Sequence, residues 1–256
     1  MTDEATRGLQ REGALGDPEA RAKVLWERVR RGALTLEQLD LAASLGDADA
    51  KAARPEAAPL EWVYDIFAAG QYVEGTTDSM SAAIVMATEI LGREGLARVA
   101  ADWAENSLPD WADWDPPGST ELWAGWAPSP RPQEAIAAAR AWAACPSSER
   151  SRAAEAAADA AELAAEDAYV AVNRVLTASP MTAADADRVA WCARFSSAAL
   201  AAWNVGYTAV EDSVADAVSA ARGAAYRAWN SARDPNAESE WQRLQLAARL
   251  LESVAR

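Results

Sequence analysis

The stretch PSSERSRAAEAAADAAELAAEDAYVAVNRVLTA, residues 146–178, decides the fold. Ala loses no side-chain entropy in a helix, so a run this dense in Ala, opened by Pro146-Ser147, predicts one long helix over 147–178. Glu155, Asp159, Glu162, Glu166 and Asp167 interrupt it, and it cannot serve as a membrane span of about 20 apolar residues. The same composition extends outward, since 66 of the 256 residues are Ala. Further helices are predicted over 132–145, over 182–203 opened by Thr182-Ala183-Ala184-Asp185, over 207–231, and over 235–254 opened by Asp234-Pro235. No alternating β-branched run occurs, so no sheet is expected. With Ala at inward positions, backbones approach closely, and the larger Trp142, Tyr169, Trp191, Phe195, Leu200, Trp203, Tyr207, Tyr226, Trp229 and Trp241 are expected to fill the remaining volume. An antiparallel bundle is the simplest arrangement that does so.

Toward the N-terminus the helices shorten and their punctuation sharpens. Asp17-Pro18 places a capping carboxylate before a Pro at the first helical position, ahead of a stripe of Leu25, Trp26 and Val29 that ends near Gly32. Thr35-Leu36-Glu37-Gln38 reads as a capping box opening a helix that Gly46 closes. A short piece runs to Arg54, and Trp62, Val63, Ile66 and Phe67 predict a half-buried helix over 60–69. Residues 78–91 are apolar nearly all round, which predicts the most buried helix of the first half, broken near Gly92 and Gly95 and resuming to about Glu105.

Residues 106–132 differ in kind. Six of the 12 prolines lie there, and no helix persists through that density. The segment also holds Trp111, Trp114, Trp123 and Trp126 beside Asp110, Asp113, Asp115 and Glu121. Four indoles left in water would form an apolar patch of a kind monomers avoid, so an ordered connection pinned by Trp is expected. The sequence therefore predicts an all-α chain in which a helical N-terminal region, 1–105, packs through the connection 106–131 on an Ala-rich antiparallel bundle, 132–256.

Chemistry is constrained by what the composition lacks. There is no His, which removes Ser-His-Asp and Cys-His pairs, His-ligated metals and His acid-base catalysis. A net charge of −15 argues against nucleic acid and anionic membranes as partners. Cys145 and Cys192 are expected as two buried thiols of a reducing compartment, and the acidic start Met1-Thr2-Asp3-Glu4 lacks the features of a signal peptide, so a cytoplasmic location is expected. No Gly-rich phosphate loop is present, and no cofactor is expected.

Carboxylates are then the remaining route to catalysis. Glu162 and Glu166 on one helix, facing Glu211, Asp212 and Asp216 on another, would suit Mg²⁺ as in all-helical hydrolases, although solvated helix faces account for such acids as well. The Trp-rich connection offers a different surface. Trp111, Asp113, Trp114, Asp115, Trp123 and Trp126 pair indoles with carboxylates, a combination that suits an Arg- or Lys-rich protein through cation–π contact and charge together. A site there requires at least one of its four Trp to be substantially exposed.

The second half, over about 120–250, resembles the Ala-rich helical immunity proteins of bacterial polymorphic toxin systems. The resemblance is carried by Arg131-Pro132-Gln133-Glu134-Ala135-Ile136-Ala137-Ala138-Ala139-Arg140-Ala141-Trp142, by the Ala-dense helices after Ser147, and by Glu238-Ser239-Glu240-Trp241-Gln242-Arg243-Leu244. The segment from Gly16-Asp17-Pro18 to Ser44-Leu45-Gly46 is similar to one found on many bacterial proteins of unassigned role, and implies a helical accessory module. Neither resemblance supplies catalytic residues. Together with the missing catalytic equipment, they lead to the expectation of a non-enzymatic protein that inhibits or regulates a basic partner protein; the rivals are an Mg²⁺-dependent hydrolase and a scaffold or regulatory subunit of a defence or signalling operon.

Overall fold

The chain is all-helical over the residues that its computed structural model describes, which are 17–60, 79–109, 123, 126–177, 182–211 and 213–253. These residues hold nine helices and no strand: α1 (Pro18–Arg30), α2 (Leu36–Ser44), α3 (Ala48–Ala53), α4 (Ser79–Ser107), α5 (Arg131–Ala144), α6 (Ser148–Thr177), α7 (Ala183–Val210), α8 (Val214–Ser231) and α9 (Pro235–Glu252). None of them is long and apolar enough to cross a membrane. The helix expected over 60–69 lies outside the described residues apart from Leu60, which is not helical.

The chain divides into two compact units. The first contains α1 to α3, α4 as far as Gly92, and α9 from Ser239 onward. Its helix ends follow local chemistry. The Asp17 carboxylate accepts the Glu19 N–H at 2.9 Å, and Pro18 sits where a missing N–H costs nothing. Gly32, at φ +71°, takes the left-handed conformation that lets the Gly32 and Ala33 N–H groups reach the Val29 and Arg28 carbonyls and close α1. The capping box of α2 is present, with Gln38 N–H donating to Thr35 Oγ1 and Thr35 N–H to Gln38 Oε1. Gln38 is buried, and its amide N–H₂ donates to the Leu250 carbonyl, so one residue both caps α2 and ties it to α9. The N-terminal part of α4 buries Met80, Ala83, Ile84, Ala87 and Leu91 but exposes Met86, so it is not buried all round. Gly92, with φ 70° and ψ 176°, interrupts the helix, which resumes at once and passes through Gly95.

The second unit, which includes Arg93–Glu238, contains the Ala-rich helices. Its pairs run antiparallel, as successive contacts show. Between α6 and α7, Ser196 Oγ donates to the Ala165 carbonyl at 3.1 Å and Tyr207 OH to Asp159 Oδ1 at 3.2 Å. Between α7 and α8, Asn230 donates to Ser197 Oγ, while Gly223 lies against Asn204. The Arg93–Ser107 part of α4 meets α5 through Arg98 on the Ala143 carbonyl and Arg140 on Asp102 and Glu105. On α6 the inward stripe is Ala154, Ala158, Ala161, Ala165, Ala168, Val172 and Val175, all buried.

Two expectations are corrected here. The helix expected to break between 203 and 207 runs unbroken to Val210, because Gly206 is used for close approach to α6 and not for a turn. It ends at Val210, and α8 starts at Val214, where Ser213 Oγ accepts the Asp216 N–H. Tyr169 does not fill core volume. It is exposed on α6, since the inward volume at this level is filled by Trp191 and Phe195 of α7, which pack with Ala164, Ala165, Ala168 and Val172.

Candidate functional site

Two of the tryptophans expected to meet a partner are described, and both turn toward the bundle. Trp123 is only 4% exposed and donates its indole N–H to Asp185 Oδ1 at 3.2 Å. Asp185 is itself buried and forms the capping box of α7, its other oxygen accepting the Thr182 N–H at 3.0 Å and the Thr182 hydroxyl at 2.8 Å. Trp126 is half-buried and stands edge-on to Phe195, which stacks on Trp191 with centroids 5.4 Å apart and planes 11° from parallel. These rings pack with Ala164, Ala168, Val172 and Cys192 as a buried aromatic cluster holding three tryptophans. Trp123 is therefore core, and its indole face is not offered to a partner. Trp111, Asp113, Trp114 and Asp115 lie outside the described residues.

The thiols separate in the same way. Cys192 is buried in this cluster, and burial pushes its thiol up to about 12 against the opposing charge of Arg188. Cys145 is exposed at the C-terminal end of α5, which corrects the expectation of two buried thiols: the helix ends there, so its last side chain faces solvent.

The metal-binding alternative distributes as follows. Glu162 on α6 is half-buried, Glu166 and Asp167 are exposed, Glu211 caps the end of α7, and Asp216 is occupied with the Ser213 cap of α8. Asp212 lies outside the described residues. Among the described residues no three Cys, Asp or Glu come together as a group able to hold a metal ion.

A different surface gathers aromatic and acidic groups in the second unit. Trp203 and Tyr207, four residues apart on α7, pair with ring centroids 5.2 Å apart. The Tyr207 hydroxyl donates to Asp159 on α6. Its phenol is pushed up from the ordinary value, first by partial burial, then by the charge of Asp159 and its hydrogen bond, then by Glu155 and Glu162. Asp159, Glu155 and Glu162 thus lie near an aromatic pair that remains partly accessible. Sequence reasoning missed this surface because the supposed break between 203 and 207 separated Trp203 from Tyr207. A signal was present: Glu155, Asp159, Glu162 and Glu166 recur at helical spacing along one side of α6.

Comparison of the chain with protein-family models, with curated proteins and with solved structures finds no match.

Proposed function

We propose that the chain is a non-enzymatic protein-binding protein, an immunity-like inhibitor or regulator that holds a basic partner protein in a bacterial toxin or defence system. The observation that carries this reading is the Trp203–Tyr207 pair set beside Asp159, Glu155 and Glu162. Aromatic faces beside carboxylates accept Arg and Lys by cation–π contact and by charge, and aromatic side chains dominate binding hot spots. The net charge of −15 adds long-range attraction for a basic protein, which raises its association rate. The resemblance of residues 120–250 to immunity proteins agrees with that role.

The test is co-expression with the product of the adjacent reading frame, followed by calorimetry on the purified pair and a growth assay for neutralisation. A complex whose association slows steeply with salt, and which Asp159→Asn with Glu162→Gln weakens roughly tenfold or more, supports the reading. Binding of Mg²⁺ at millimolar concentration with turnover of a phosphate ester, lost in Glu162→Gln, would replace it with the hydrolase reading.

A further inference from the structure

The aromatic and acidic groups around Tyr207 match an arrangement that the chain fills by itself in its first unit. There the Arg54 guanidinium lies over the Trp26 ring, 5.8 Å from its centroid, while its Nε pairs with Asp40 at 2.6 Å and with Glu56 at 2.9 Å. A ring and two carboxylates together hold one planar cation. The second unit repeats the rings and the carboxylates. Trp203 and Tyr207 stand side by side, the Tyr207 hydroxyl meets Asp159, and Glu155 and Glu162 are near. Among the described residues no Arg or Lys pairs with these three acids or stands over either ring.

The groups at this surface select the sign of a ligand. Trp203 Nε1 is buried, so the indole turns its donor away from solvent. The Tyr207 hydroxyl gives its proton to Asp159, which is exposed. An approaching anion meets acceptors and ring faces, which repel it, whereas a cation is attracted by both. Because the hydroxyl touches Asp159, a cation lying on the phenol ring has that carboxylate beside the ring's edge. Resting on the reading of a basic partner protein, we propose that the partner enters here with an Arg side chain, and not a Lys, held by Trp203, Tyr207 and Asp159.

Charge alone does not choose between the two. Exposed ion pairs contribute little, and a strongly hydrated ammonium holds its water in preference to lying on a ring. A guanidinium is planar and weakly hydrated, so it stacks on the ring while its N–H edge reaches the carboxylate. Arg54 makes both contacts at once on Trp26, Asp40 and Glu56.

Fluorine NMR on the whole chain labelled with fluorotryptophan tests this, with N-acetyl-arginine amide and N-acetyl-lysine amide as probes at equal ionic strength. Trp203→Phe assigns the Trp203 resonance, which keeps general attraction to a net charge of −15 out of the reading. The arginine amide should move that resonance saturably at millimolar concentration, and should bind about threefold or more tightly than the lysine amide. Asp159→Asn should weaken the arginine amide about threefold, through loss of a charge-assisted bond. Asp159 is exposed, and circular dichroism confirms that the variant keeps its helices. An equal or stronger response to the lysine amide overturns the choice of Arg and leaves the basic-partner reading standing, since that reading fails instead when no salt-sensitive complex forms. No saturable movement with either amide, or an arginine affinity indifferent to Asp159→Asn, also overturns the proposal.

Discussion

A Cβ built on Gly206 of α7 lies 2.5 Å from the Cβ of Ala158 on α6 and 3.0 Å from the Ala154 carbonyl oxygen. Neither obstacle is a flexible side chain, so Gly206 lets α6 and α7 approach closely here. Gly206→Ala should destabilise the chain, because the cost of overpacking, about 1–3 kcal/mol, exceeds the ~1 kcal/mol that Ala gains in helix propensity. Urea denaturation followed by circular dichroism reads the loss, and adding Ala158→Gly should recover part of it. A midpoint raised by Gly206→Ala alone would mean that the helices stand farther apart. Gly223→Ala should cost less, because the Asn204 amide it meets can turn away.

The two thiols should differ by accessibility and by charge state. Cys192 is buried and its thiolate is disfavoured by that burial, while Cys145 is exposed at the end of α5. A thiol reagent should therefore titrate one group per native chain and two in denaturant. Cys145→Ser should abolish the native reaction, whereas Cys192→Ser should leave it unchanged.

How much of this was legible depends on how local the physics is. Caps are readable because donor and acceptor lie within three residues, and Asp17-Pro18, Thr35 with Gln38, and Thr182 with Asp185 all stand where the sequence places them. The interruption at Gly92 is legible for the same reason. Gly206 is not, because a Gly that ends a helix and a Gly that admits a neighbouring helix look alike until that neighbour is in place. Tyr169 fails similarly: in a helix this rich in Ala, small residues can face inward and large ones outward. The Tyr207 surface depends on an α6–α7 register that joins residues 48 positions apart, and no local pattern encodes it.

Acid should weaken the tie between α4 and α5. The hydrogen bond from Arg140 is the main cause that holds the Glu105 carboxyl below its ordinary 4.5, with the Arg140 charge adding to it and partial burial opposing. A carboxyl lowered in the folded state stabilises fully above its unfolded value and loses that contribution as the pH falls through the folded value. The stability difference between the parent chain and Glu105→Gln should therefore be present at neutral pH and disappear well below pH 4.5. Because Glu105 is largely exposed, the difference is small, and urea midpoints compared across pH detect it as a trend. A difference constant with pH would mean that Glu105 and Arg140 are not coupled.

Trp123 anchors the end of the Pro-rich connection through a bond that Phe cannot make. Its indole N–H reaches a carboxylate oxygen of Asp185, while Thr182 supplies two donors to the other oxygen. Trp123→Phe keeps most of the ring packing against the cluster but removes a donor from a buried acceptor, which costs about 1–3 kcal/mol. Trp123→Ala also empties the ring volume and should cost about 3–5 kcal/mol. A binding residue would show the opposite pattern, with weakened association and an unchanged melting temperature. Combining Trp123→Phe with Asp185→Ala distinguishes a direct bond from general packing: the loss in the double variant should be clearly less than the sum of the two single losses, since either change breaks the same contact. Strict additivity would place the stabilising role of Trp123 in its ring alone.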